Sequence, residues 1–127
     1  MLLDCPFCHV DDEQIIFQDE FVFTIRDGFP ISSAHTLIIP KRHIASLFDA
    51  TNKEQRALLN ALQFTKTELD QTYKPDGYNI GFNDGLAAGQ TVMHLHIHLI
   101  PRYTGDCNDP RGGIRWLFPE KAVYWNR

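Results

Sequence analysis

With 127 residues the chain is long enough for one domain with a single well-buried core. Apolar residues make up 43% and charged residues 22%, the balance of an ordinary soluble protein. The formal net charge of −4 supplies no global field to draw in nucleic acid or an acidic membrane, and no apolar run approaches the roughly 20 residues of a membrane span, so neither partner is expected.

Met1-Leu2-Leu3-Asp4 lacks a basic segment leading into an apolar stretch, so no secretory signal is expected and a cytoplasmic location is. Cys5-Pro6-Phe7-Cys8 follows at once. Three cysteines, an odd number, suit a reducing compartment with a metal or redox pair better than a disulfide framework. Residues 10–12 read as a loop. Residues 15–17 and 21–25 read as strands joined by a turn at Asp19-Glu20. Asp27-Gly28-Phe29-Pro30 breaks the pattern, and 35–39 form a third strand that Pro40 stops. Thr51 followed by Glu54 fits a capping box, a hydroxyl with a carboxylate three residues on. Leu58, Leu62, Thr65, Leu69 and Tyr73 then recur at helical spacing, so residues 53–73 read as one amphipathic helix ended by Pro75-Asp76-Gly77. Residues 78–82 form a fourth strand, 83–89 a glycine-rich loop, and 92–100 a fifth strand. The order β-β-β-α-β-β with short connections predicts an α+β fold, an antiparallel sheet with one long helix. From residue 103 the chain reads as an irregular tail with a Gly112-Gly113 break and a cluster of Trp116, Phe118, Tyr124 and Trp125.

The fifth strand carries the chemistry. In His94-Leu95-His96-Ile97-His98 three histidines alternate with apolar residues, so on a strand all three imidazoles share one face. Imidazole suits metal binding, nucleophilic attack and proton transfer near neutral pH. Residues two apart on a strand lie about 6.6 Å from each other and residues four apart about 13 Å, so the three cannot all converge on one ion. Cys5 and Cys8 have the spacing of the thiolate half of a tetrahedral zinc site, which His43 and one histidine of the row would complete. Two other readings of the cysteines stand beside this one. They are small buried residues, or a redox pair, although the strand before and helix after that such a pair requires are missing from the pattern.

The segment from Gly89 through Gln90, Thr91 and the histidine row to Pro101-Arg102 resembles the signature of the histidine-triad (HIT) family of nucleotide-binding hydrolases and transferases. His35-Thr36-Leu37-Ile38-Ile39-Pro40-Lys41-Arg42-His43 resembles the family's upstream strand and turn. The likeness covers about residues 5–102 as a core, with 103–127 as a tail whose stretch from Asp109-Pro110-Arg111-Gly112-Gly113 to Trp125 is similar to that of microbial members. Ala34 stands where the family has glycine; a small residue is kept, so little effect is expected. The resemblance implies a HIT-like fold, five antiparallel strands and one helix, assembled as a homodimer through the helix and an edge strand.

It also implies roles. His96 matches the nucleophile that attacks an α-phosphate and becomes a covalent nucleotidyl-histidine. His98 matches the residue that contacts phosphate and leaving-group oxygens, where a proton donor helps departure. His35 matches a buried histidine that orients the triad. His94 matches a zinc ligand, together with Cys5, Cys8 and His43, so the ion is a structural zinc. Asn83, Gln90 and Thr91 match phosphate-binding residues, beside a loop ending at Gly89 whose backbone approaches the anion. Asp27 matches the ribose-hydroxyl acceptor. Arg102, Arg111 and Arg115 could meet outlying phosphates, and Cys107 has no evident role. The expected function is cleavage of an adenosine 5′-phosphoryl compound, a phosphoramidate or a dinucleoside polyphosphate. The alternatives are nucleotidyl transfer to phosphate, and a zinc-stabilised nucleotide-binding interaction protein without turnover.

Overall fold

The computed structural model describes residues 3–126; Met1 and Leu2, the start of the segment read for a secretory signal, lie outside the described residues. Five strands, β1 (Ile15–Gln18), β2 (Val22–Arg26), β3 (Thr36–Pro40), β4 (Gly77–Gly81) and β5 (Ile97–Arg102), form one sheet in the order β1-β2-β3-β5-β4. Every neighbouring pair is antiparallel. One long helix, α1 (Asn52–Thr72), connects β3 to β4.

The helix starts where the sequence placed its cap. Thr51 Oγ1 accepts from the Glu54 backbone N–H at 3.1 Å, and Glu54 Oε1 accepts from the Thr51 N–H at 2.9 Å. Two of the orphan N–H groups of the first turn are thereby satisfied. Ala57, Leu58, Ala61, Thr65 and Leu69 turn one buried stripe toward the sheet. Ala57, Leu58, Ala61 and Leu69 meet Val22, Ile38, Leu95, Ile97 and Leu99 in the main core. On the opposite face of the sheet Phe23, Ile25, Leu37 and Ile39 form a second core, covered by Phe7 and Val10 of the N-terminal segment and by Ile15. Leu95, Ile97 and Leu99 face the helix, so the alternating histidines face the other way.

Three expectations need correction. The fifth strand does not begin at residue 92. Ladder pairing starts at Ile97, because β3 pairs with β5 only through Thr36, Leu37 and Ile38. Before that point the chain leaves the sheet, and the Leu95 N–H donates instead to Ile44 O at 2.7 Å. Pro40 does not precede the end of β3 but belongs to it, opposite Val22. It has no N–H to give the ladder, and its carbonyl is used elsewhere. Ala34, expected to have little effect on the site, has a backbone feature of its own. Its φ is 70°, in the left-handed region, which costs a non-glycine residue about 1–2 kcal/mol. The tail, read as irregular, contains one 3₁₀ segment, Gly113–Leu117, and a single helical turn, α2 (Pro119–Ala122).

Candidate active site and metal centre

The face of the sheet opposite α1 carries two clusters, and the histidine row runs between them. At one end Cys5, Cys8, His43 and His94 bring four ligand atoms within 4.8 Å of one another. Cys5 and His94 are buried, and Cys8 and His43 are half-buried. The turn after β3 delivers His43, and the same turn is tied to the cap of α1: Arg42 grips Glu54 through Nε at 3.0 Å and Nη2 at 2.8 Å. That grip is the largest cause holding the buried Glu54 carboxyl below its ordinary value.

Hydrogen bonding fixes which His94 nitrogen faces the cluster. Its Nε2 lies 2.8 Å from Pro40 O, a group that can only accept, so Nε2 carries the proton and Nδ1 keeps its lone pair. Three further donor atoms converge on that lone pair. Cys5 Sγ is at 3.4 Å, Cys8 Sγ at 3.6 Å and His43 Nδ1 at 3.1 Å, while Cys8 Sγ lies 3.3 Å from His43 Nδ1. A tetrahedral zinc with bonds of about 2.0–2.1 Å to nitrogen and about 2.3 Å to sulfur sets its ligand atoms about 3.3–3.8 Å apart. Four of the cluster's separations, 3.1–3.6 Å, come close to those dimensions, and its Cys₂His₂ composition fits the ion. The Pro40 carbonyl behind His94 is the outer partner that such a ligand needs to hold its tautomer.

At the other end of the row Asp27, His35 and His98 meet. Asp27 leaves the end of β2, His35 enters β3, and His98 stands in β5 opposite Leu37, so register brings all three to one face. His35 is 3% exposed. The Ile31 backbone N–H donates to its Nδ1 at 3.2 Å, which leaves the proton on Nε2. That Nε2–H points to His98 Nδ1 at 2.9 Å, with Asp27 Oδ2 at 3.4 Å as a second acceptor. His98 Nδ1 therefore accepts, and its own proton sits on Nε2. Burial pushes both imidazoles below their ordinary value, with the Asp27 carboxylate working in the opposite direction, so the pair is neutral at neutral pH. These three residues could also be read as metal ligands. The Ile31 N–H argues against it, because a ligating His35 Nε2 would require a proton on Nδ1, where a donor already points.

His96 lies between the clusters. Its Nδ1 is 2.9 Å from His94 O, which can only accept, so Nδ1 donates and Nε2 holds a lone pair. The His96 and His98 rings are 5.2 Å apart. Neighbouring imidazoles on one face thus present opposite character, a lone pair on His96 Nε2 and an N–H on His98 Nε2. Phe7, between the two cysteines, packs against both His94 and His96 with ring centroids 5.9 and 5.0 Å away.

The remaining sequence candidates lie around the 3₁₀ turn Leu86–Ala88. Gly89 has φ 90°, which a side chain would strain. Asn83 and Thr91 are exposed, and their side chains make no hydrogen bond among the described residues. Gln90 is different. It is buried, its Nε2 donates to Ala45 O and Val92 O, and its Oε1 accepts from the Gly85 N–H. Neither of its N–H groups is left for a phosphate, and it shapes the loop instead. Arg102 is taken by Asp106 and Arg111 by Asp109. Nothing in the residue pattern pointed to the Ile31 N–H or the Pro40 carbonyl, because backbone groups carry no residue signature. Phe7 was visible only as an aromatic residue between the cysteines.

Comparison with known proteins agrees with this geometry. Residues 9–105 match the HIT domain family. An uncharacterized HIT-like protein of Mycoplasma genitalium is 35% identical, over 78% of this chain and 73% of its own length. An adenylylsulfatase of Arabidopsis thaliana is 32% identical, with 82% of this chain and 55% of that protein aligned. An AP-4-A phosphorylase of Mycobacterium tuberculosis is 29% identical, over 81% of this chain and 56% of its own. Among solved structures, a HIT family protein from Bacillus anthracis superposes with a TM-score of 0.75 at 33% identity, covering 84% of this chain and 78% of that one. A zinc-bound histidine triad family protein from Mycobacterium smegmatis superposes with a TM-score of 0.67 at 38% identity, covering 72% of this chain and 67% of that one.

Proposed function

Because the chain belongs to the HIT domain family, we propose that it cleaves an adenosine 5′-phosphoryl compound through a covalent nucleotidyl-histidine on His96. The observation that carries this reading is the pairing of tautomers. His96 offers an unprotonated Nε2, held in that state by His94 O, beside a His98 Nε2–H set by the chain Ile31 N–H, His35, His98. His96 Nε2 attacks the α-phosphorus and the bond to the leaving group breaks. The His98 N–H donates to the oxygen or nitrogen on which charge develops. Water then attacks the same phosphorus, releasing AMP and restoring His96. Asn83 and Thr91, with free polar groups, and the backbone at Gly89 meet the phosphate. Gln90 contributes by holding the loop. Asp27, with Oδ1 accepting from the Phe29 N–H, uses its remaining lone pairs for a ribose hydroxyl. The named relatives, an adenylylsulfatase and an AP-4-A phosphorylase, support this substrate class.

Zinc is proposed as the ion held by Cys5, Cys8, His43 and His94. It would fasten residues 5–10 over the second core and keep His94 O aimed at His96. Protein purified without added metal should carry one equivalent of zinc per chain and melt lower after chelation; less than about 0.2 equivalents with unchanged melting refutes the site. A homodimer is proposed through the free edge of β4, which has a hydrogen-bonded neighbour on one side only and carries the half-exposed Ile80. A light-scattering mass near the 14.6 kDa of one chain refutes it.

The catalytic reading is tested by rapid mixing. The wild type should release a burst of leaving group approaching one per chain, and His96→Ala should abolish the burst while retaining AMP binding and zinc. Turnover by His96→Ala near the wild-type rate overturns the proposal. Inorganic phosphate added to the same assay distinguishes the acceptor, since transfer to phosphate yields ADP in place of AMP.

A further inference from the structure

The histidine face extends beyond His98. Side chains alternate along β5, so Ile100 and Arg102 follow His98 on that face, with Gly81, Asn79 and Gly77 of β4 beside them. Arg102 Nη1 donates to Asn79 Oδ1 at 2.7 Å, which places this pair on the same side. Beside His98 and beside Arg102 the floor is low. Gly81 stands opposite His98 and Gly77 opposite Arg102, and a Cβ at either would meet nothing within 4 Å. From His98 to Arg102 the strip is four residues long, about 13 Å, with Ile100 and Asn79 standing between the two glycines and Gly113 of the tail close to the Asn79 amide.

At the Arg102 end the tail borders an open cleft of about 470 Å³, lined among others by Arg102, Cys107, Asn108, Asp109, Gly113 and Trp116. That is within the usual size of a small-molecule site, about 300–1,000 Å³. A smaller cavity of about 300 Å³, between the β1–β2 turn and the start of α1, has no connection to this face. The tail is braced around the larger one. Trp116 Nε1 donates to Arg111 O at 2.8 Å, Arg115 Nη2 donates to Lys121 O at 2.6 Å, and the Arg111 guanidinium lies 4.3 Å from the Trp125 ring centroid.

The chemistry of the lining selects its ligand. Arg102 is neutralised by Asp106 at 2.8 Å and Asp109 by Arg111 at 3.0 Å, so no unpaired charge faces the cleft among the described residues. A phosphate finds no free cation there. What remains is a Trp116 ring, 42% exposed, and the Asn108 amide, which makes no hydrogen bond among the described residues. An aromatic face and a free amide suit a flat, uncharged heterocycle, stacked on the ring and hydrogen-bonded at its edge.

We propose that this cleft receives the far end of the leaving group, a second nucleoside or a similar planar heterocycle, whose phosphate chain runs from His98 along β5 and β4 toward Arg102. The assignment rests on the reading that the α-phosphate is bound at His96.

Equilibrium binding on the zinc-loaded full chain tests it. The probes are a methylene-bridged diadenosine tetraphosphate analogue and adenosine 5′-tetraphosphate, which has a phosphate chain of the same length without the second nucleoside. The wild type should bind the first about tenfold more tightly, the worth of one stacked base. Trp116→Ala should bring that ratio close to one, and Asn108→Ala, at an exposed unbonded residue, should lower it about threefold. A wild-type ratio near one, or a ratio unchanged by both substitutions, overturns the proposal. If neither probe binds, the proposed function falls with it. If both bind equally, only the distal site falls.

Discussion

His35→Ala should damage catalysis by a residue that never touches substrate. The buried imidazole has two attachments, the Ile31 N–H on Nδ1 and His98 Nδ1 on Nε2. Removing it leaves His98 Nδ1 without a donor. His98 can then move its proton to Nδ1 and give it to Asp27 Oδ2, which lies 3.9 Å away. The Nε2 that faced the reacting phosphate becomes a lone pair, and a stabilising donor turns into a repelling acceptor. Loss of one such donor costs about 10²–10³ in kcat. The penalty should grow with the basicity of the leaving group, because the charge that His98 stabilises is larger there. In the folded state two hydrogen bonds are lost around a buried group, about 1–3 kcal/mol. Single-turnover kinetics on two adenosine 5′-phosphoryl substrates, one with a strongly activated leaving group and one with an ordinary amine, measures the first effect, and urea unfolding the second. If kcat falls less than about tenfold, or equally for both substrates while zinc and fold persist, the tautomer argument is wrong.

The same two histidines predict a pH dependence of stability. Burial holds His35 and His98 below the ordinary imidazole value, against the pull of Asp27, while His98 is also lowered by His96 and His35. Above about pH 6.5 neither the folded nor the unfolded chain protonates them; below it the unfolded chain takes up protons that the folded one refuses, so stability falls as pH falls. Urea midpoints between about pH 7 and pH 5.5 should drop in the wild type and drop less in His35→Phe, and parallel curves refute the assignment. Ala34→Gly should relieve the left-handed backbone at φ 70°, offset in part by extra freedom of the unfolded chain, for a net gain of about 0.5–1 kcal/mol. A lower melting temperature for Ala34→Gly would show that the alanine is not strained.

Much of this was legible in the residues. The alternation of His94, His96 and His98 with Leu95, Ile97 and Leu99 fixed two faces, and the apolar set does face the helix. Thr51 and Glu54 announced the start of α1 three residues apart, because a cap is a local interaction. The Cys5/Cys8 spacing announced a ligand pair for the same reason. The succession of strands and helix along the chain followed from hydrophobic period and turn residues, and the family from two motifs in sequence order, while the order of the strands within the sheet came only with the fold.

What needed the folded chain is whatever joins distant segments or uses the backbone as donor and acceptor. Cys5 meets His94 across 89 positions, and His35 meets His98 across 63. No local pattern encodes either closure; strand register brings His35 to His98, and packing of the N-terminal segment on the second core brings Cys5 to His94. By residue type and spacing the row is three equivalent histidines, told apart only by the family resemblance, and the fold supplies the physical difference: a ligand, a lone pair and a donor. That difference is set by Pro40 O, His94 O and the Ile31 N–H, main-chain groups that every sequence possesses and only a tertiary structure aims.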